Sequence, residues 1–162
     1  MSNNTNLRHE TLGSQAPDGT VLFSYLAMPH DVNADNPAPA ILVAPEWWGV
    51  VEHPKQVADK LAALGFVAVV MDIYGEGKIT TDAHKANEWM TQMLDDSDEL
   101  MNRCRIIYGD VVDLDFVADG RIGIVGYCFG GKIALDMARL GAPLKAVATF
   151  HGNPSAITPA TA

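Results

Sequence analysis

A buried strand that runs directly into a glycine-rich turn constrains this chain more than any other segment. Residues 120–131 are Gly-Arg-Ile-Gly-Ile-Val-Gly-Tyr-Cys-Phe-Gly-Gly, with Cys128 at the tip of the turn. The spacing Gly126-x-Cys128-x-Gly130 is the thiol form of the nucleophile elbow, a strained strand-to-helix turn that presents a reactive side chain above the end of a sheet. We expect a side chain at Gly126 or Gly130 to collide with a neighbouring strand or with the following helix.

The same segment is also compatible with a phosphate site or with simple core packing. A glycine-rich strand–turn–helix can bind phosphate, but neither Gly-x-Gly-x-x-Gly nor the P-loop pattern occurs here, and a thiol occupies the turn. Cys128 can also be a small buried hydrophobe, as most free cysteines are. Cys104 fits that description better, because it lies on an apolar helical stripe between Leu100 and Val111. We therefore favour Cys128 as a nucleophile and predict that Cys104 packs in the core.

The composition indicates one domain without a nucleic-acid or membrane partner. With 162 residues and 48% hydrophobic content, the chain is long enough for one compact core. A formal net charge of −9 without a basic stripe argues against binding to nucleic acid or anionic membranes. The first six residues lack a signal-peptide pattern, and two cysteines in different settings do not suggest a disulfide. We expect a soluble cytoplasmic protein without metal or cofactor, in which residues 1–10 are flexible.

Hydrophobic periodicity predicts an α/β fold with a mostly parallel sheet and helices on both faces. An antiparallel hairpin is predicted for residues 7–28, around a Pro17-Asp18-Gly19 turn. Short apolar runs then alternate with helical stripes, which is typical of parallel strands covered on both sides. The first helix, opened by His53-Pro54 and closed by Gly65, is expected to face inward through Val57, Leu61 and Leu64. The remaining predicted elements are strands at Ala40–Ala44, Phe66–Asp72, Ile122–Tyr127 and Ala146–Phe150, and helices at Thr81–Asp95, Ser97 to about Val117 and Lys132–Leu140.

The carboxyl ends of the parallel strands define the candidate site. In open parallel sheets, ligands bind in the crevice outside these ends, so the loops that leave the strands should converge there. The four loops are Pro45–Gly49, Asp72–Gly77, Gly126–Gly131 and Phe150–Pro154.

The motifs in these loops resemble those of the dienelactone hydrolase family of α/β-hydrolases, from about Thr11 to the C-terminus. In chain order they are Pro45-Glu46-Trp47-Trp48-Gly49-Val50, Met71-Asp72-Ile73-Tyr74-Gly75, residues 125–131 and Phe150-His151-Gly152. The resemblance implies cysteine-dependent hydrolysis of a small ester or lactone, often one that bears a carboxylate, through a Cys…Asp…His triad. It also implies about two further strands that carry the triad Asp and His, so we expect a domain cut short of its last strands.

The resemblance assigns a role to residues of each loop. Cys128 is the nucleophile, Glu46 is the acid that contacts the resting thiol, and the backbone amides of Trp47 and Phe129 form the oxyanion hole. At about the position of Glu76 the family often has an arginine that binds the substrate carboxylate, which leaves carboxylate selectivity open. The residues expected in the substrate pocket are Trp48, Tyr74, Glu76, Tyr127 and His151.

The chemistry of a thiol agrees with these roles. A free thiol is only a few per cent ionised at about pH 7, so the elbow must activate it through the helix N-terminus and a neighbouring base. Glu46 can be that base where substrate binding or burial favours the transfer, or it can be a surface residue of its loop. The paired tryptophans either form a pocket wall or pack beneath the loop. His151 is expected in the pocket wall rather than as the base, and His53 at a helix cap or on the surface.

The sequence therefore favours a hydrolase of the dienelactone hydrolase type, whose ligand is a small ester or lactone. Because no triad Asp or His is assigned, a non-catalytic ligand-binding or thiol-sensing module is the alternative. The last predicted strand, Ala146–Phe150, is expected to form an apolar edge through which the chain self-associates.

Overall fold

One mixed sheet of six strands organises residues 6–155, the part of the chain that the computed structural model describes. Its strands follow the order β1-β2-β4-β3-β5-β6. No helix among these residues is long and apolar enough to cross a membrane. The strands are β1 (Leu7–Gln15), β2 (Val21–Pro29), β3 (Ala38–Ala44), β4 (Val67–Val70), β5 (Val117–Tyr127) and β6 (Val147–Phe150), and the helices are α1 (Glu52–Ala63), α2 (Ala83–Asp95), α3 (Ser97–Val112) and α4 (Phe129–Arg139).

The antiparallel hairpin at the start of the chain is confirmed. β1 pairs with β2 along its whole length, and β2 pairs antiparallel with β4, which joins the hairpin to the sheet. The turn closes because the Asp18 carboxylate accepts the Thr20 N–H at 2.9 Å, while Gly19 has a φ of 89° that glycine adopts without strain. Residues 7–10, part of the segment expected to be flexible, lie in β1, and residues 1–5 are outside the described residues.

The parallel part of the sheet and the helices on both of its faces are also confirmed. β3 pairs in parallel with β4 and β5, and β5 with β6. Side chains of β4 alternate between two cores: Val67 and Val69 pack with α3 and α4, whereas Ala68 and Val70 pack with α1. All four are buried, because helices cover both faces of this strand.

The buried face of helix α1 agrees with the predicted one only in part. Ala58 and Ala62 are fully buried, Val57 and Leu61 are half-buried, and 75% of Leu64 is exposed. Small side chains let the helix lie close to β2 and β4, so Ala58 and Ala62 are buried more deeply than the larger residues Val57 and Leu61, which pack against the same core.

The boundary between α3 and β5 also differs from the prediction. α3 ends at Val112 rather than near Val117, and β5 begins at Val117 rather than at Ile122. The strand starts earlier because it continues through a register shift against β3, with Gly120 at a φ of 63°. An irregularity of this kind interrupts the alternation of apolar residues, so the periodic pattern reveals only the second half of the strand.

β6 is the outer strand of the sheet. It pairs with β5 and, within the described part of the chain, with no other strand. All four of its residues are exposed. A groove of about 560 Å³ lies between α1 and the strands β5 and β6, lined by apolar side chains that include Val57, Leu61, Val125 and Phe150.

We predict that a polypeptide of these 162 residues self-associates through the outer edge of β6, because its open N–H and C=O groups can pair with another strand. Val147→Lys, which places a charge on this edge, should shift the population toward monomer in multi-angle light scattering. Leu64→Lys is the matched control, because Leu64 is an exposed apolar residue away from the edge, and it should leave self-association unchanged. A monodisperse monomer of the unsubstituted polypeptide would contradict the prediction.

Candidate active site

Cys128 occupies a sharp turn between β5 and α4. Its backbone has a φ of 52° and a ψ of −112°, a conformation that costs a non-glycine residue on the order of 1–3 kcal/mol. Its N–H donates to the Phe150 carbonyl at 3.0 Å, and its own carbonyl accepts the Gly131 N–H at 3.0 Å. The helix therefore begins at Phe129 rather than at Lys132, with the partly exposed Cys128 at its N-cap. This is the geometry of a nucleophile elbow.

The glycines around Cys128 are required by backbone contacts, as predicted. A Cβ atom at Gly126 would overlap the Gly130 carbonyl oxygen. A Cβ atom at Gly130 would overlap the Ala44 carbonyl oxygen and lie 2.6 Å from the carbonyl oxygen of Pro45. Backbone atoms cannot move aside as flexible side chains can, so these positions admit only glycine. The start of α4 consequently lies directly against the loop that follows β3.

Gly130→Ala should lower the free energy of unfolding by about 1–3 kcal/mol or more, because the added methyl group overpacks a rigid contact. Gly109→Ala is the matched control within α3, where the added Cβ meets no atom within 4 Å. It should raise the free energy of unfolding by about 0.5–1 kcal/mol, since alanine favours the helix more than glycine. Urea unfolding followed by circular dichroism measures both values. Equal effects of the two substitutions would disprove the tight contact at Gly130.

Two backbone donors next to the elbow have no protein acceptor in the part of the chain that the structure describes. They are the N–H groups of Trp47 and Phe129, the pair to which the family resemblance assigns the oxyanion hole. Phe129 is the first residue of α4, where helix N–H groups lack intrahelical partners. The contact of Gly130 with Ala44 and Pro45 brings together the loop that carries Trp47 and the start of α4, which carries Phe129.

Glu46 lies in a small polar cluster beside the elbow. Its Oε2 atom is 3.8 Å from Nδ1 of His53, and 25% of its side chain is exposed. The His53 ring meets Tyr127 edge-on, with ring centroids 5.7 Å apart. Burial, and secondly the charge of Glu46, raises the pKa of Tyr127. Tyr127 also stacks on Phe150, with centroids 5.0 Å apart.

His53 lies closer to the site than the sequence predicted. A position at a helix cap or on the surface was expected, and 55% of its side chain is indeed exposed. The structure shows in addition that it faces Glu46, because α1 begins shortly after the loop that carries this glutamate. That short separation along the chain was the available signal.

Tyr74 holds the loop after β3, which carries Trp47 and Trp48. The Tyr74 hydroxyl donates to the Trp47 carbonyl at 2.9 Å, and only 6% of Tyr74 is exposed. Trp47 and Trp48 are both half-buried and meet edge to face, with ring centroids 5.0 Å apart. The Trp48 carbonyl accepts the Thr80 N–H at 3.2 Å, which ties this loop to the segment after β4.

Two buried residues with ionisable side chains shape that segment: Asp72, which the sequence placed in a loop motif without a role, and Arg103, which the sequence did not single out. The Asp72 carboxylate accepts the N–H groups of Gly75, Gly77 and Phe23, each at 2.8–2.9 Å. Arg103 of α3 donates to the Tyr74 carbonyl at 2.8 Å and to the Ile73 carbonyl at 3.2 Å. For Asp72 the sequence signal was an aspartate at the end of an apolar run, followed by two glycines. Arg103 has no such signal, because the carbonyl groups that it binds are distant in sequence.

The last two expected pocket residues lie on exposed backbone turns. Glu76 has a φ of 58° and 61% of its side chain is exposed, where it pairs with Lys78 at 3.1 Å. His151 has a φ of 43° and is exposed just after β6. The following residue, Gly152, packs against the backbone of Gly131, so the turn after β6 touches the start of α4.

Cys104 is fully buried among apolar residues of the core, as predicted. Burial raises the pKa of its thiol to about 12. Both cysteines are free.

We predict that iodoacetamide at pH 8 alkylates Cys128 on the order of 100-fold faster than Cys104, because only an accessible thiolate reacts. Peptide mass spectrometry over a time course measures both rates. In a denaturing concentration of urea the two cysteines should react at similar rates, which controls for the peptides themselves. Similar rates in the folded protein would remove the nucleophile assignment.

The fold and the elbow together define the class of protein. A mostly parallel sheet covered by helices, with an elbow of this geometry between a parallel strand, β5, and the helix that follows it, is the α/β-hydrolase arrangement. The family model described as "Dienelactone hydrolase family" matches residues 22–162. The chain belongs to the dienelactone hydrolase family.

Individual relatives agree with this membership. The chain is 30% identical over 142 residues to the "Putative carboxymethylenebutenolidase" of Aquifex aeolicus, covering 85% of this chain and 59% of that protein. Among solved structures, a dienelactone hydrolase-like promiscuous phosphotriesterase from metagenomic libraries has a TM-score of 0.84 at 27% identity, covering 91% of this chain and 60% of that one. The chain thus spans about three fifths of the length of these relatives.

Proposed function

We propose that this chain forms the nucleophile-bearing part of a hydrolase that cleaves a small carboxylic ester or lactone through Cys128. The observation that carries the proposal is the strained backbone of Cys128 at the N-terminus of α4, held by the Phe150 carbonyl. Strain at a non-glycine residue persists where function requires the geometry. The positive end of the α4 dipole faces the N-cap position that Cys128 occupies.

The proposed reaction begins with acylation of the thiol. Sγ of Cys128 forms a bond to the carbonyl carbon, and the carbonyl oxygen becomes an oxyanion. The unpaired N–H groups of Trp47 and Phe129 are the proposed donors to this oxyanion. Collapse of the intermediate restores the C=O bond and breaks the bond to the leaving oxygen, which gives an acyl-cysteine and an alcohol or alkoxide.

Glu46 is proposed to take the proton of the thiol. Its carboxylate lies in the loop that packs against the elbow, and His53 at 3.8 Å provides a polar partner for it. In this structure the nearest polar partner of the Glu46 carboxylate is the His53 ring, so the transfer requires the carboxylate to turn toward Sγ when substrate binds. The resemblance assigns the base for deacylation to later strands, so acylation is the step proposed for residues 6–155.

The proposed ligand is a small ester or lactone held in the crevice above β3, β4 and β5. Trp48, Tyr127 and His151 are proposed as pocket walls around the thiol, and Glu76 as a residue at the mouth. The net charge of −9 makes nucleic acid and anionic membranes poor partners. Two free cysteines fit a reducing cytoplasmic setting, which we also propose.

A single-turnover assay with p-nitrophenyl acetate tests this function. The chain should release a burst of p-nitrophenol equal to the concentration of Cys128. Cys128→Ser should lower the acylation rate by about 100-fold or more, because a hydroxyl is a far weaker acid than a thiol. Cys104→Ala is the control and should keep the burst. Fast alkylation of Cys128 by iodoacetamide without any burst would favour the thiol-sensing alternative over hydrolysis.

A further inference from the structure

The Tyr74 side chain contacts both segments that carry the unpaired backbone donors. Its hydroxyl donates to the Trp47 carbonyl at 2.9 Å. Its ring stacks on the Phe129 ring with an interplanar angle of 11° and ring centroids 6.3 Å apart. A single buried residue thus touches the loop after β3 and the start of α4.

The position of Tyr74 is itself fixed from several sides. Trp89 of α2 packs against the Tyr74 ring, with centroids 5.3 Å apart. Arg103 of α3 holds the Tyr74 carbonyl, and the Asp72 carboxylate closes the turn that follows. Because a group can position another only when it is itself held, these contacts make Tyr74 a rigid support rather than an adaptable one.

From this arrangement we propose that Tyr74 is a positioning residue that aligns the N–H groups of Trp47 and Phe129 for oxyanion stabilisation. The Trp47 N–H and carbonyl groups belong to successive peptide planes joined at one Cα atom. A hydrogen bond to the carbonyl therefore limits rotation about that Cα and restricts the direction of the N–H. The stacked Phe129 ring restricts the first residue of α4 in the same way. The inference rests on the proposed function.

The hydroxyl of Tyr74 can hold this position over the whole working pH range. Burial raises its pKa, so the group stays protonated and remains a donor. The role assigned here differs from a substrate contact, because Tyr74 is 6% exposed and its hydroxyl is already bonded to protein.

The test compares two reactions of Cys128 in Tyr74→Phe, which keeps the ring and removes only the hydroxyl. Acylation by p-nitrophenyl acetate forms an oxyanion, whereas alkylation by iodoacetamide forms none. We expect the acylation rate constant to fall about tenfold while the substrate concentration for half-maximal rate and the alkylation rate stay within about twofold. Binding of a trifluoromethyl ketone, whose thiol adduct also carries an oxyanion, should weaken to a similar extent in ¹⁹F NMR.

Tyr108→Phe is the matched control. Tyr108 is also a tyrosine whose hydroxyl donates to a backbone carbonyl, that of Pro143 at 3.3 Å, but it lies on α3 away from the elbow. Neither reaction should change in this variant.

Each contrary outcome overturns the inference in a recognisable way. An unchanged acylation rate and ketone affinity in Tyr74→Phe would show that the hydroxyl positions nothing. Equal losses of acylation and alkylation would show that Tyr74 supports the thiol or the fold in general. If the unsubstituted chain gives neither a burst nor a ketone adduct, the proposed function fails first and the inference falls with it.

Discussion

The contact between the Gly130 backbone and the Ala44 carbonyl is the constraint on which the site depends. It allows the first turn of α4 to lie against the end of β3, at a distance that no side chain permits. The chain must then leave β5 through a very tight turn, and Cys128 takes up the strained φ of 52° as a result. Hydrogen bonds with neighbouring backbone groups stabilise this strained conformation of Cys128. The folded chain therefore keeps the thiol in its partly exposed position.

A second support lies under the loop after β4 and consists of buried charged groups. Asp72 is fully buried, which would be costly for an ionised carboxylate without its three backbone donors. Arg103 is likewise buried, and Glu99 at 2.7 Å together with two carbonyl groups satisfies it. These groups fix Tyr74, and Tyr74 contacts both segments of the proposed oxyanion hole, the loop after β3 and the start of α4. Through Tyr74, the hydrogen bonds that Arg103 of α3 makes are thus connected to the residues of the candidate site at the carboxyl ends of the strands.

The sequence predicted elements best where local pattern and tertiary packing agree. The hairpin, the parallel strands and the helices on both faces follow from periodicity, because alternation and turn residues are local properties. The inward face of α1 was predicted only in part: Val57 and Leu61 pack against the core, whereas Leu64 is exposed, and Ala58 and Ala62 are buried by how closely the helix fits the sheet. The early start of β5 was not predicted, because a register shift interrupts the alternation of apolar and polar residues. At the site, the elbow and its glycines were recognised, whereas the pairing of His53 with Glu46 was not.

The sequence by itself determined which segments form the candidate site, because the glycine spacing after a buried strand specifies a strand–turn–helix elbow as a local property of the chain. It also separated Cys104 from Cys128, since a helical stripe and a glycine turn are distinct local patterns. Only the tertiary structure decided what surrounds the thiol. The partners of Glu46, Asp72 and Tyr74 come from several different parts of the chain, and a one-dimensional pattern contains no distances between them. Packing of whole elements brings these groups together, and that packing is a property of the folded chain alone.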